Sequence, residues 1–392
     1  MLNKYIEFLK PRKNTNNYFE ELVTSKNVEG MISCIDRLPN PDIILRKAGK
    51  KISVLQDLTN HYQIGTCIDS RKSGTLKKLW KLKCTGIDDK TIEFYNNIFN
   101  NIDIYTLIEN ILDTPLFGYN VLEINWKDDN GNIVPETITA KPQDWFFYDR
   151  DKNLRFKHKD FRDGIKINDY PYKFLVPRNK PTYNNPYGQA ILSRCFWNAA
   201  FINGGMEFWV KFTEKYGMPF MVGKYEKSMS DSERKGLLNT LVQAVQDVVA
   251  VIPNDSTIDV IGTGTTQSTD IYASLIEKCE KNIAKSILGQ TLTTDVGNIG
   301  SYAAANTHNL VRYDIIESDT RLVEKTINEL IRYINDINFQ NTIVPKFILF
   351  EEEKADKDTA ERDLKLYSAG VRFSKKYFMR QYAFENDDFT LK

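Results

Sequence analysis

Between Tyr302 and Asn338 the chain runs without a single glycine or proline. Val311, Ile315, Leu322, Ile327, Leu330, Ile334 and Ile337 recur along it at helical spacing. At ~1.5 Å per residue, one helix over that stretch spans roughly 55 Å. Such a length exceeds what one small core needs, and it points to an elongated architecture.

The elements around it predict a mixed α+β chain. Ile104, Leu107, Ile108 and Ile111 repeat at helical spacing. Tyr119 to Trp126 is rich in strand formers and is followed by Asp129-Asn130-Gly131, a hairpin turn signal. A second strand over Ile133 to Ile138, the aromatic run Trp145 to Tyr148 and further short strands up to Val176 are expected. Pro177 to Pro186 reads as a connector. Asn185 as N-cap and Pro186 as first residue predict a helix from Pro186 to Tyr216, closed by Gly217 and Pro219. Gly204-Gly205 inside it costs roughly 1 kcal/mol per glycine relative to alanine, which calls for a bend or a close backbone approach.

Residues 218–261 read as a small insert. A strand at Phe220 to Val222 precedes a helix opened at Asp231 by the capping pair Ser230 and Glu233 and running to about Asp247. Strands at Val248 to Ile252 and Ile258 to Ile261 follow, about the turn Pro253-Asn254-Asp255. Gly262 to Thr266 is a polar connector. A helix from Asp270 to Leu288 places Ile271, Leu275, Cys279, Ile283 and Ile287 on one expected buried stripe, and Gly289 closes it. Gln290 to Ser301 has no periodicity and reads as an exposed loop. The tail holds a strand from Lys346 to Phe350 and two helical pieces separated by Gly370.

Composition excludes several classes. The 392 residues carry 53 Lys plus Arg against 52 Asp plus Glu, a formal charge of +1, so a broadly basic nucleic-acid coat is excluded. With 41% hydrophobic and 12% aromatic residues, a charged disordered chain is excluded as well. MLNKYIEFLKPRK lacks the apolar length of a signal peptide, and no apolar run reaches the ~18 residues of a membrane span. The 5 cysteines (Cys34, Cys67, Cys84, Cys195 and Cys279) are scattered without a CxxC, which argues against a zinc site or a disulfide framework.

The catalytic inventory is poor. The 3 histidines, His61, His158 and His308, form no HxxxH or HExxH pair. No GxSxG occurs, and Gly262 to Thr266 lacks the spacing of a phosphate-binding loop. Asp128 to Asn132 places its glycine too early for a calcium loop, leaving a plain hairpin. Arg71 to Lys83 holds basic residues and no acid; it reads as a solvated face beside packed Leu76, Leu79, Trp80 and Leu82, with phosphate or acidic contacts as the alternative. The acidic stretch Glu351 to Asp363 reads as a solvated face or a subunit contact. No catalytic residue, metal ligand or cofactor is expected. Thr291, Thr293, Thr294 and Asn298 can hydrogen-bond phosphates without a fixed charge, although a generic surface loop explains the same composition.

Several strings together carry a resemblance. FGYNVLEI (Phe117 to Ile124), PQDWF (Pro142 to Phe146), NPYG (Asn185 to Gly188) and FTEKYGMP (Phe212 to Pro219) are similar to the Mu-like phage portal family. SILGQTLTT (Ser286 to Thr294), GSYA (Gly300 to Ala303), ERD (Glu361 to Asp363) and GVRF (Gly370 to Phe373) continue the likeness in order. The first 60 residues carry no matching string.

The resemblance implies a non-catalytic subunit of a ring, usually of twelve copies, at one capsid vertex of a virion assembled in the host cytoplasm. Double-stranded DNA passes through such a ring during packaging and ejection, without sequence specificity. Its implied partners are further copies of itself, the terminase large subunit, a head-tail adaptor, and the major capsid and scaffold proteins, with no membrane. The implied plan is a wing over 1–185, a first stem helix over 186–217, a clip over 218–268 and a second stem helix over 269–289. A tunnel loop over 290–301, a long wing helix over 302–340 and a C-terminal wing strand with a helical tail (a reduced crown) over 341–392 complete it. Thr291, Thr293, Thr294 and Asn298 would face the lumen with Ser301, while Gly297 and Gly300 let the loop move. Lys278, Lys281 and Lys285 would face the lumen or a neighbouring acid. The competing expectations are a peripheral head-tail adaptor or structural ring protein and, behind that, a nucleic-acid-processing enzyme.

Overall fold

In the computed structural model, the described residues are 37–38, 42–216, 221–226, 228–244, 249–253, 265–290, 302–339, 343–351 and 357–382. They open with β1 (Arg37–Leu38), three helices α1 (Ile43–Lys47), α2 (Val54–Leu58) and α3 (Tyr62–Leu76), and β2 (Leu79–Lys83). Asp88 and Asp103 cap α4 (Asp89–Asn101) and α5 (Ile104–Leu112), each carboxylate accepting a backbone N–H three residues on. The one-turn α6 (Thr114–Phe117) leads into the hairpin of β3 (Val121–Asp129) and β4 (Asn132–Lys141). Asn130 and Gly131 both take positive φ, 54° and 86°, the two-residue turn that matches strand twist.

β5 (Phe146–Asp149), β6 (Leu154–His158), β7 (Phe161–Lys166) and β8 (Phe174–Leu175) follow. A sheet in the order β1-β5-β6-β7 and a second in the order β4-β3-β8 result. Next come α7 (Ile191–Tyr216), β9 (Met221–Tyr225), α8 (Asp231–Ala244), β10 (Val249–Pro253) and α9 (Thr265–Leu288). The long α10 (Tyr302–Asn338) is unbroken, as its lack of glycine and proline predicts. β11 (Lys346–Phe350) pairs antiparallel with β2, and α11 (Lys357–Ser368) and α12 (Lys375–Tyr382) close the chain. The class is α+β.

Two boundaries differ from expectation. The first long helix starts at Ile191, not at Pro186. Gly188 sits at φ +77, and Asn185 spends its side-chain amide on the Gly188 carbonyl at 2.7 Å, so residues 182–189 make a turn. The last helix before the threonine-rich segment is already helical at Thr265, ahead of Asp270. Gly217, Pro219, Asn254 to Ile261 and Gly262 to Gly264 lie outside the described residues.

Three apolar clusters hold the body together. One joins α4, α5 and the β3–β4 hairpin to the C-terminal half of α10, where Val323, Ile327, Leu330, Ile331 and Ile334 are fully buried. Each such side chain contributes about 1.5–3 kcal/mol by leaving water. The other end of α10 leaves that core, and Val311 is 36% exposed. A second cluster gathers α3, α6, α7 and α9 around Ile64, Cys67, Leu192, Cys195 and Ile283. A third is aromatic, with Tyr119, Tyr148 and Tyr187 in edge-to-face contact.

Candidate functional site

α7 and α9 run side by side, because α7 buries Leu192, Cys195, Ala199 and Ile202 at steps of three and four residues, a stripe that fits one flank of α9. Asn282 donates to Asn198 at 3.3 Å, and Phe212 lies 6.1 Å from Tyr272, so the helices are antiparallel. The unit between them, β9–α8–β10, pairs its strands in parallel with Val249 opposite Met221, as a helical crossover requires. The expected capping pair is present: Glu233 accepts from the Ser230 N–H at 2.9 Å, and Ser230 accepts from the Glu233 N–H.

The buried stripe on α9 differs from the expected one. Ile276, Cys279, Ile283, Ala284, Ile287 and Leu288 are buried, whereas Ile271 is 67% and Leu275 43% exposed. At 100° per residue, a repeat of four drifts by about 40° each step, so four such steps carry the fifth position roughly 160° away from the first and off its face. The distal part of α7 is equally bare: Phe201, Met206, Phe208 and Val210 are exposed, and Trp197 stacks on Phe201 at 6.0 Å. Among the described residues, Gly204 meets nothing and a side chain on Gly205 would make only ordinary contact with Ile276, so neither glycine marks a close approach there.

Of the expected site residues, Thr291, Thr293, Thr294, Gly297, Asn298, Gly300 and Ser301 lie outside the described residues. Their flanks are defined: Gly289 turns at φ +71 after α9, and Gln290 is buried. Lys278 and Lys285 are exposed on α9, and Lys281 pairs with Glu277 one turn earlier on the same helix. A glutamate placed N-terminal to its lysine is the favourable order, worth a few tenths of a kcal/mol at an exposed site.

The basic run Arg71 to Lys83 is not a solvated face throughout. Arg71 forks onto Asp319 at 2.8 and 2.9 Å, Lys72 meets Asp113 at 2.8 Å, and Lys78 meets Glu317 at 2.5 Å. Burial raises the Asp113 carboxyl above its ordinary pKa, against the pull of Lys72. Trp80 packs on Phe347 and Leu82 joins the core, while Leu79 is left exposed. In the acidic tail, Asp363 is buried, with Tyr377 and Tyr382 donating to it at 2.8–2.9 Å, so it is structural and not a solvated group.

Other titratable groups are also accounted for structurally. Burial pushes the Cys67 thiol up to about 11 and that of Cys195 up to about 12, which makes both poor nucleophiles. His61 is held below its ordinary pKa, by burial first and against the pull of Glu280. Sequence reasoning missed a buried charge group in the β4-β3-β8 sheet: Glu123 lies 3.3 Å from Lys141 and 3.7 Å from Lys173. Burial and the neighbouring Lys173 bring Lys141 down to about 8. A cavity of about 630 Å³ is lined by Lys72, Asp113, Asn120, Lys141 and Gln143, where cations and acids already face each other. Among the described residues, no cluster of three or more His, Cys, Asp or Glu side chains is placed to hold a metal, and no helix is long and apolar enough to cross a membrane.

Three of the strings that carry the resemblance, FGYNVLEI, PQDWF and NPYG, meet in space. FGYN and NPYG cross where the Asn179 N–H donates to the Gly118 carbonyl at 2.7 Å and Gly188 abuts the same peptide. The Tyr119 hydroxyl donates to the Gln143 carbonyl of PQDWF. Residues 52–384 match the family described as the portal protein of Mu bacteriophage. The chain belongs to that family. The match begins within the first 60 residues, where no string was evident.

Among curated relatives, this portal-family chain is 28% identical over 271 residues to the portal protein of Escherichia phage Mu, covering 66% of this chain and 51% of that one. It is 25% identical over 275 residues to the Mu-like prophage FluMu protein gp29 of Haemophilus influenzae, covering 68% and 52%. The chain thus spans about half the length of the curated relatives it matches. Among solved structures, a chain in the virion of a native gene transfer agent particle superposes with TM-score 0.55 at 11% identity, over 86% of this chain and 97% of that one. A chain from the neck of the native particle, with C12 symmetry, gives 0.53 at 11%, over 87% and 92%. At such identities these likenesses concern the fold.

Proposed function

We propose that this chain is a subunit of a portal ring at one capsid vertex, a passage for double-stranded DNA during packaging and ejection. In this reading the ring docks the terminase during packaging and afterwards the head-tail connector. Residues 1–185 contribute to the wing, α7 and α9 are the stem, β9–α8–β10 belongs to the clip, and α10 stands behind the loop of residues 290–301. Family membership over residues 52–384 carries the reading.

The distal halves of α7 and α9 support it. They expose Phe201, Phe208, Ile271 and Leu275, apolar area that a single subunit leaves in water and that a head-to-tail ring covers with the next subunit. A charge of +1 suits a passage that neither traps nor strongly repels a polyanion. Threonine and asparagine at 291, 293, 294 and 298 offer phosphates neutral hydrogen bonds in place of fixed ion pairs.

The test replaces Thr291, Thr293 and Thr294 together with alanine in the full chain. Rings of wild-type size with reduced DNA packaging or retention are expected. Wild-type packaging in such rings contradicts the loop assignment and favours a peripheral ring adaptor.

A further inference from the structure

Three helices meet at one close junction on the body side of α9. A side chain at Gly74 of α3 would come within 2.6 Å of the Ile316 side chain on α10, and one at Gly289 would meet Ile315 and Val311 at 3.0 Å. Into this junction α3 sends Arg71, only 11% exposed. Its Nε and Nη2 donate to the two carboxylate oxygens of Asp319 on α10, at 2.8 and 2.9 Å, and Asp319 is 3% exposed. Its Nη1 donates to the Ile287 carbonyl at 2.9 Å. That carbonyl belongs to the last turn of α9, where a helix has no partner of its own for its final C=O groups. One guanidinium therefore satisfies a carboxylate on one helix and an open carbonyl on another. Only a planar fork of donors does this; a lysine ammonium offers a point charge.

We propose that Arg71 is the positioning residue that fixes the end of α9 against α10. Residues 289–301 follow α9, so a side chain more than 200 positions away in sequence fixes the turn from which they leave it. Lys78, two residues past α3 and itself buried, holds the exposed Glu317 of α10 at 2.5 Å, a second tie between these segments that remains when Arg71 is altered. Arg71 thereby separates two jobs: Asp319 orients the guanidinium, and the third donor holds the stem-like helix.

Hydrogen–deuterium exchange on the full chain tests this with two variants, Arg71→Lys and the near-isosteric Asp319→Asn. In Arg71→Lys, amides in the last turn of α9 exchange about tenfold faster, the loss of a charge-assisted hydrogen bond at a helix end. Peptides over Asp89 to Leu112 keep their wild-type rate. Asp319→Asn gives the same local pattern at smaller amplitude, because its amide oxygen still accepts from Arg71. Unchanged exchange in the last turn of α9, or an equal acceleration over Asp89 to Leu112, overturns the assignment. The readout involves no DNA and no ring count, so its failure is distinguishable from failure of the portal reading.

Discussion

Gly188 has no room for a side chain. Its φ is +77, and a Cβ there would lie 2.3 Å from the Gly118 carbonyl oxygen and 2.6 Å from that of Asn179, both backbone atoms that cannot swing away. Gly188→Ala is therefore expected to destabilise the protein by about 3 kcal/mol or more, read as a fall in the urea midpoint at unchanged slope. Asp149 gives a pH-dependent counterpart. Burial acts to raise its carboxyl pKa, but Arg155 at 2.7 Å and the donors of Asn153 win and hold it below 3.8. Its folded pKa is thus below its unfolded one, so its stabilisation is present above about pH 3.8 and is lost as pH falls through the folded value. Asp149→Asn is expected to lower stability at pH 6 and to flatten the loss between pH 5 and 3; urea titrations across that range check it. The constraint on Gly188 could not be read from sequence, because its clash partners Gly118 and Asn179 come from elsewhere in the chain.

At the scale of elements, local chemistry was legible and long-range use was not. The Asn130-Gly131 turn and the Ser230–Glu233 cap involve neighbours in sequence, and both stand as expected. Ser230→Ala is expected to cost about 1 kcal/mol in the β9–α8–β10 unit, seen as faster amide exchange over Asp231 to Ala244. The length of α10 followed from the lack of helix breakers. By contrast, the basic run at Arg71 looked solvated because Asp319, its partner, lies 248 residues away. The α9 stripe was misplaced for a geometric reason: a four-residue repeat rotates off its face, and the exposed Ile271 and Leu275 are what remains uncovered. Phe201→Glu and Ile271→Glu are expected to change the stability of the isolated subunit by about 0.5 kcal/mol or less while abolishing ring assembly. Thermal unfolding and particle size together check that pair of outcomes.

At the scale of the whole molecule, the α+β class could be read from periodicity and turn signals and the family from ordered strings between Phe117 and Phe373, and the family match over residues 52–384 confirms the latter. The proposed threonine-rich contact could not be advanced by geometry, since Thr291 to Ser301 lie outside the described residues. What the fold contributes is two antiparallel helices with a shared packed stripe and several apolar side chains left exposed beside it, among them Phe201, Phe208, Ile271 and Leu275. That asymmetry makes sense for a subunit completed by its neighbours, because a heterologous interface repeated around an axis closes into a ring. The most direct measurement is the mass and rotational symmetry of the purified full chain, by native mass spectrometry with cryo-electron microscopy class averages. Closed rings of about twelve subunits around a central channel are what the portal reading predicts. A monodisperse monomer or dimer at every concentration tested contradicts the account.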